Sequence, residues 1–380
     1  MDKIITILGS TGSIGRQSIE VAVRNSIRVE AVSAHTSVDA LERQARELKV
    51  KYAAMTDEAS AKKLKERLSD TDIKVFEGAS GLLSMLSVIE SETVINALVG
   101  MSGLQPTVTA LENGKRVALA NKESLVCAGE IVMALSREKA LPIIPVDSEH
   151  SAIWQCLSSG KRSDVSRLIL TASGGPFFGR KKEDIYYMTK KEALCHPTWS
   201  MGEKITVDSA SMMNKGFEIM EAVYLFDMPS EKVDVLVHRQ SIVHSMVEFC
   251  DGAVIAQMGI PDMKCCISLA LSYPERYKVS DERLDLAKIS SLTFAKPDDE
   301  AFPLMSLARL AVSEGGLLPA VLCAADEACV RLFLDGKIKF GEISDIVAFT
   351  VHNYINRKNP SLEEIYSVCS SVEREILSKY

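Results

Sequence analysis

The first 150 or so residues alternate short apolar runs with amphipathic stretches. The runs at 3–8, 29–34, 52–55, 93–96, 116–118 and 141–145 are rich in aliphatic and β-branched residues, the composition of buried strands. Helical periodicity fills the intervals, most clearly over 39–48 and 59–68. This alternation predicts a doubly wound parallel sheet. The next stretch places strands at 167–172, 233–237, 245–249 and 253–258, with helices at 151–158 and 214–225. That order reads as an α+β region. Residues 276–299 are polar and weakly periodic, as expected of a linker, and from 304 to 380 the pattern is helical almost throughout.

Length and charge narrow the picture. A chain of 380 residues exceeds what one hydrophobic core usually supports. A formal charge of −7 argues against nucleic acid as a partner, because phosphate backbones attract basic faces. No apolar run approaches the roughly 20 residues needed to cross a bilayer, so no membrane association is expected. The chain enters its first strand at once, without a leader pattern, and its nine cysteines form no CxxC pair. These features predict reduced thiols and a cytoplasmic location.

The first strand runs into Gly9-Ser10-Thr11-Gly12-Ser13-Ile14-Gly15 and then a helix expected from about Arg16. Glycines there allow a tight turn and a close backbone approach to a pyrophosphate, which the free N–H groups of the helix start then bind. The spacing G-x-x-G-x-x-G is a variant of the dinucleotide fingerprint; a plain Gly-rich βα turn is the alternative. The second strand ends at His35-Thr36-Ser37 with no acid before Asp39. Dinucleotide folds that take NAD place a carboxylate there for the ribose hydroxyl. Hydroxyls and an imidazole suit a 2′-phosphate better, although a polar turn without a ligand reads equally well.

Two acidic segments carry the candidate chemistry. In Pro145-Val146-Asp147-Ser148-Glu149-His150 an extended backbone points Asp147 and Glu149 the same way, and two hard carboxylates suit Mg²⁺ or Mn²⁺. The competing reading makes Asp147 the cap of a helix starting near Ser151, with Glu149 solvated. In the second segment, 208–218, Asn214 and Glu218 are i,i+4 and Lys215 and Glu218 are i,i+3, so amide, ammonium and carboxylate share a helix face. A surface ion pair of little energetic value is the alternative. The turn Ser173-Gly174-Gly175 after an apolar strand can offer hydroxyl and N–H groups to an anion. The loop Cys195-His196-Pro197-Thr198-Trp199-Ser200-Met201-Gly202 holds one of two tryptophans, placed as docked core or as a lid.

Together these segments resemble the 1-deoxy-D-xylulose 5-phosphate reductoisomerases of the non-mevalonate isoprenoid pathway. The matching stretches are GSTGSIG, ALANKESLV, PVDSEH, TASGGPF, HPTWSMG, TVDSASMMNKGFE, VHRQSIVHSMVEF, GIPDM and GGLLPAVLCAADE. The resemblance implies an α/β chain with an N-terminal Rossmann-like NADPH-binding domain (1–147), a central α+β catalytic, metal-binding and dimerisation domain (148–275), a linker (276–299) and a C-terminal helical domain (300–380). It implies NADPH near Thr11, Gly12, Ser13, Ile14, Asn121, Glu123 and Gly202, with His35, Thr36 and Ser37 at the adenosine end. Mn²⁺ or Mg²⁺, with Co²⁺ an alternative, would be held by Asp147, Glu149 and Glu218. The sugar phosphate would meet Lys122, Ser148, Glu149, Ser173, His196, Ser209, Asn214, Lys215 and Glu218. Lys122 and the three carboxylates would be catalytic, Trp199 and Met201 would lie on a closing flap, and the protein would be a homodimer.

The chain departs from the family pattern at His35-Thr36-Ser37, at Arg239 where proline is frequent, at Cys265-Cys266, and at Cys323 and Asp326, which replace asparagines. Two other readings compete: an aspartate-semialdehyde-type dehydrogenase, which would need a nucleophilic Cys with a partner His, and a non-catalytic dinucleotide sensor, which would need no metal face.

Overall fold

The computed structural model describes residues 3–199 and 201–380; Ser200 lies outside the described residues. The chain divides into two compact units. The first comprises Met1–Ser124, Glu130–Ser151 and Asp262–Glu282, the second Leu125–Gly129, Ala152–Pro261 and Arg283–Tyr380.

The first unit is built on seven strands: β1 (Ile4–Leu8), β2 (Arg28–Ala34), β3 (Tyr52–Met55), β4 (Lys74–Glu77), β5 (Thr93–Asn96), β6 (Arg116–Leu119) and β7 (Ile144–Pro145). They lie in the order β4-β3-β2-β1-β5-β6-β7, and all pairings are parallel. The expected doubly wound sheet is therefore present. Such sheets are covered on both faces, which is why β1, β3 and β5 carry Ile5, Ile7, Ala53, Ala54, Val94 and Ile95 fully buried. The sequence pattern missed β4. It is a short edge strand with charged residues at both ends and no buried position, so it has no apolar run to detect. The order reverses between β1 and β5, and open α/β sheets bind ligands at such a switch point.

The second unit holds a four-stranded sheet of β8 (Val165–Ala172), β9 (Val233–Val237), β10 (Val243–Phe249) and β11 (Val254–Met258), ordered β11-β10-β8-β9. β10 pairs antiparallel with both neighbours, and β8 pairs parallel with β9. Helices Leu304–Glu314, Leu318–Leu334, Phe340–Asn353 and Leu362–Lys379 complete it, fulfilling the helical expectation for the C-terminal part. Within the polar segment 276–299, Leu286–Ile289 forms one helical turn and Ala295 bridges to Val237.

Candidate active site

In the first unit, the loop after β1 turns on Gly9, which has φ +73° and whose imagined Cβ would sit 2.5 Å from the Ala97 carbonyl oxygen. Gly15 is equally constrained, since a Cβ there would lie 2.3 Å from Gly9 O. Only glycine fits either position. Gly12 is different: a Cβ there would meet nothing closer than 3.4 Å, so its role is to leave space. The helix Ser13–Arg24 starts just after Gly12, three positions earlier than expected, and no side chain among the described residues caps it. Its first N–H groups face the switch point with the positive end of the helix dipole, beside the partly exposed Thr11, Ser13 and Ile14. At the end of β2, His35, Thr36 and Ser37 are exposed, and His35 Nδ1 is 2.9 Å from Thr56 Oγ1.

Asn121 is buried and its side chain is heavily used. It accepts from Ser124 N–H at 3.0 Å as the cap of helix Lys122–Glu138. Its two amide hydrogens are shared among Leu98 O, Gly100 O and Glu123 Oε2, at 3.1, 2.9 and 2.8 Å from Nδ2. It therefore shapes the loop after β5 and orients Glu123.

The segment after β7 corrects the extended reading of 147–149. The helix begins at Ser148 because Asp147 caps it: Asp147 Oδ1 accepts from the N–H groups of Glu149 (3.0 Å) and His150 (3.2 Å). The cap does not exhaust the carboxylate. Oδ2 receives Lys122 Nζ at 2.6 Å, and a Glu149 oxygen still comes within 4.8 Å of an Asp147 oxygen. Ser148 Oγ donates to Glu149 Oε2. Cap and acidic pair are thus the same residues. Burial pushes the Asp147 carboxyl up most, but Lys122 and His150 together outweigh it and hold it well below the usual carboxylate range.

In the second unit, helix Met213–Phe226 follows Met212, which is left-handed with φ +62°. The helix is buried nearly all round, including Lys215 (4 % exposed) and Glu218 (1 %). This removes the surface ion-pair alternative. Lys215 Nζ donates to Glu218 Oε2, and Asn214 Nδ2 donates to Glu218 Oε1 at 2.7 Å. Asn214 Oδ1 is buried without a hydrogen-bond partner among the described residues, an acceptor waiting for a donor or a cation. Helix–helix packing fixes the face, since an added Cβ on Gly216 would lie 2.9 Å from Ala308 Cβ.

The turn after β8 sits beside this helix system. A Cβ on Gly175 would lie 2.5 Å from Ser209 O, so the turn packs on the backbone of helix Glu203–Ala210, which carries Ser209. His196 Nε2 is 3.0 Å from Ser173 Oγ. Its Nδ1 accepts from Thr198 N–H (3.1 Å) and Trp199 N–H (2.8 Å). Gly202 starts helix Glu203–Ala210, and Trp199 and Met201 are half-buried.

One cluster escaped the sequence reading. Lys204 Nζ lies 2.7 Å from Asp208 Oδ2 and 2.8 Å from Asp326 Oδ2, with both aspartates buried. The i,i+4 spacing of Lys204 and Asp208 was legible, but Asp326 lies on helix Leu318–Leu334, far along the chain. All nine cysteines are free thiols.

The first unit is a dinucleotide-type sheet with an acidic, lysine-paired helix start, and the second a polar helix face beside an anion-type turn. They define an oxidoreductase-like α/β chain. Residues 5–129 match the domain described as 1-deoxy-D-xylulose 5-phosphate reductoisomerase, 143–226 its C-terminal domain and 258–375 a further C-terminal domain of DXP reductoisomerase. The chain belongs to the 1-deoxy-D-xylulose 5-phosphate reductoisomerase family. It is 49% identical over 383 residues to the reductoisomerase of Caldanaerobacter subterraneus subsp. tengcongensis, covering 100% of both chains. It is 50% identical over 364 residues to that of Acetivibrio thermocellus, covering 96% of each. Among solved structures, the Zymomonas mobilis reductoisomerase in complex with NADPH superposes with a TM-score of 0.94 at 38% identity, over 100% of this chain and 99% of that one. A DOX-P reductoisomerase in complex with NADPH, fosmidomycin and magnesium gives 0.93 at 36% identity, over 99% and 98%. Membership of this family sets aside the semialdehyde-dehydrogenase and sensor readings.

Proposed function

We propose that this chain rearranges 1-deoxy-D-xylulose 5-phosphate and reduces the product with NADPH to 2-C-methyl-D-erythritol 4-phosphate, a step of isoprenoid precursor synthesis. The observation that carries the proposal is the buried face of Asn214, Lys215 and Glu218 in a chain of this family. Buried charges persist only when paired or used, and this face leaves an amide oxygen unused.

Residue roles follow from chemistry. Asp147, Glu149 and Glu218 act as metal ligands; all are hard oxygen donors, and Asp147 stays ionised, which fits Mg²⁺ or Mn²⁺, with Co²⁺ as the alternative. When bound, the ion supplies Lewis-acid polarisation of the ketone and NADPH supplies the hydride. Thr11, Gly12, Ser13 and Ile14 hold the pyrophosphate end, His35, Thr36 and Ser37 the adenosine end, and Asn121, Glu123 and Gly202 the remaining edge of the cofactor. Ser173, His196, Ser209, Asn214 and Lys215 anchor the phosphate, whose binding energy orients the reacting carbons. Lys122 and Ser148 stand beside the reacting end; Lys122 already shares a proton-bearing contact with Asp147. Trp199 and Met201 close over the substrate and exclude water. In functional terms residues 1–147 bind NADPH, 148–275 carry catalysis, metal and dimer contacts, 276–299 link, and 300–380 form the helical part.

The homodimer reading has support in β11. Among the described residues this strand pairs only with β10 and leaves Val254 and Ile255 exposed, an open apolar edge of the kind proteins normally cover. Among the described residues no helix is long and apolar enough to cross a membrane; the location we propose is cytoplasmic.

The test is NADPH oxidation with 1-deoxy-D-xylulose 5-phosphate and Mg²⁺ or Mn²⁺. Turnover should vanish in EDTA, return with metal, and favour NADPH over NADH. Metal-independent oxidation, or none with this substrate, would overturn the proposal.

Lys215→Ala should raise KM for the sugar phosphate by about tenfold or more, since a charged contact to phosphate contributes roughly 1.5–3 kcal/mol. The inhibition constant of inorganic phosphate should rise in parallel. If it stays at the wild-type value, Lys215 is not a phosphate ligand.

A further inference from the structure

The turn at residues 173–175 is held by a side chain that neither the motif nor the reaction accounts for. Gly174 and Gly175 both lie in the left-handed region, at φ +77° and +62°, so the turn has little intrinsic preference for a single shape. Arg239, two residues beyond β9, reaches across to it. Its Nη1 donates to the carbonyls of Ser173 at 3.2 Å and Gly175 at 2.6 Å, and its guanidinium lies 5.6 Å from the centroid of the Phe178 ring. Because the peptide unit is planar and trans, fixing the Ser173 carbonyl turns the Gly174 N–H to the opposite side.

The hydrogen-bond directions around Ser173 can be assigned. His196 Nδ1 accepts from two backbone N–H groups, so the single hydrogen of the neutral ring sits on Nε2 and is donated to Ser173 Oγ. Ser173 Oγ also accepts from Gly175 N–H at 3.3 Å. With two donors already directed at it, its own hydrogen has no acceptor among the described residues. The hydroxyl is a preset donor, complementary to an acceptor-only group such as a phosphate dianion. This arrangement needs a neutral His196. Burial, and then the charge of Arg239, hold the imidazole below its ordinary range. Among the described residues the groups facing His196 are the Ser173 hydroxyl and the N–H groups of Thr198 and Trp199, and Arg239 is the charge that acts on it.

We propose that Arg239 is a positioning residue for the substrate phosphate: it clamps the 173–175 turn and so sets the direction in which Ser173 and Gly174 donate. The proposal rests on the assignment of Ser173 to the phosphate. It also assigns a task to the guanidinium that an uncharged side chain would perform more weakly, since both carbonyl contacts are charge-assisted.

The test compares Arg239→Gln, Arg239→Lys and Ser173→Ala by steady-state kinetics, with inorganic phosphate as a competitive probe and NADPH as the control ligand. Arg239→Gln should raise KM for the sugar phosphate and the inhibition constant of phosphate by about tenfold, the loss of roughly one charged hydrogen bond. Its kcat should stay within about threefold and KM for NADPH should not change. Arg239→Lys should recover part of the loss, because an ammonium keeps the charge but lacks the planar group that lies over Phe178. The His196 titration midpoint, followed by NMR, should move up in Arg239→Gln and stay low in Arg239→Lys. A wild-type phosphate constant in Arg239→Gln, alongside a raised one in Ser173→Ala, overturns the proposal and leaves the phosphate assignment standing. A wild-type constant in Ser173→Ala overturns both. Equal losses for phosphate and NADPH, with a lowered melting temperature, would show Arg239 to be a prop of the fold and overturn the proposal as well.

Discussion

Asp147→Asn should reduce turnover by about a thousandfold or more, roughly 4 kcal/mol of lost transition-state stabilisation, and leave the fold intact. The expectation is unusually clean because Asp147 has two separate tasks. Its Oδ1 caps helix Ser148–Leu157 through Glu149 N–H and His150 N–H, and asparagine caps about as well as aspartate. The amide therefore preserves the helix start and removes only the charge that Lys122 and a divalent ion require. Glu218→Gln should lose as much activity and also some stability. Its carboxylate is the anion beside buried Lys215, and a buried ammonium without a counter-charge costs several kcal/mol unless it sheds its proton. NADPH affinity should be nearly unchanged in both variants, because the proposed pyrophosphate contacts lie at Gly12 and its neighbours. Turnover is measured against Mg²⁺ concentration, and NADPH binding by fluorescence. Near-wild-type rates at limiting metal in either variant would sink the ligand assignment.

Lys204→Met should destabilise the protein by about 3–5 kcal/mol, the cost of breaking a buried ion pair from one side. Lys204 is the shared cation of Asp208 and Asp326, and both carboxylates have an oxygen without a hydrogen-bond partner among the described residues. Burial and the neighbouring Asp326 push the Asp208 carboxyl well above its usual range, against the pull of Lys204. Burial draws Lys204 down, but Asp208, Asp326 and Glu327 outweigh it and hold its ammonium well above the usual lysine value. The pH dependence follows from these directions. A lysine raised in the folded state stabilises fully below its ordinary value near 10.5, so the wild-type contribution is complete across neutral pH. An acid raised in the folded state destabilises progressively as pH climbs from its ordinary value near 3.8. Without Lys204 that penalty is no longer offset. The difference in melting temperature between wild type and variant should therefore be larger at pH 8 than at pH 5. Adding Asp326→Asn should recover part of it by removing one uncompensated charge. A loss independent of pH, or no recovery, would mean that Lys204 acts through its packing over Phe217, at 4.9 Å from the ring centroid, and not through charge.

Elements with a strong local signature were legible from the order of residues alone. The strands of the parallel sheet are mostly apolar because both faces are covered, so six of the seven were visible as runs despite Arg28, Glu30 and Arg116 within them; Lys74–Glu77, half exposed at the edge, was not. The nucleotide turn was legible because Gly9 and Gly15 occupy positions that only glycine can fill. The face of Asn214, Lys215 and Glu218 was legible because helical spacing alone aligns them. Tertiary structure decided the matters that depend on burial and on distance along the chain. It turned Asp147 from an extended residue into a helix cap that still presents its second oxygen. It buried Lys215 and Glu218, converting a pair that could have been a weak surface contact into one that cannot be broken cheaply. It also brought Arg239 to the Ser173 turn and Asp326 to Lys204. A spacing rule reaches only as far as one helix or strand repeats, and side chains 66 and 122 positions apart meet only when the core packs.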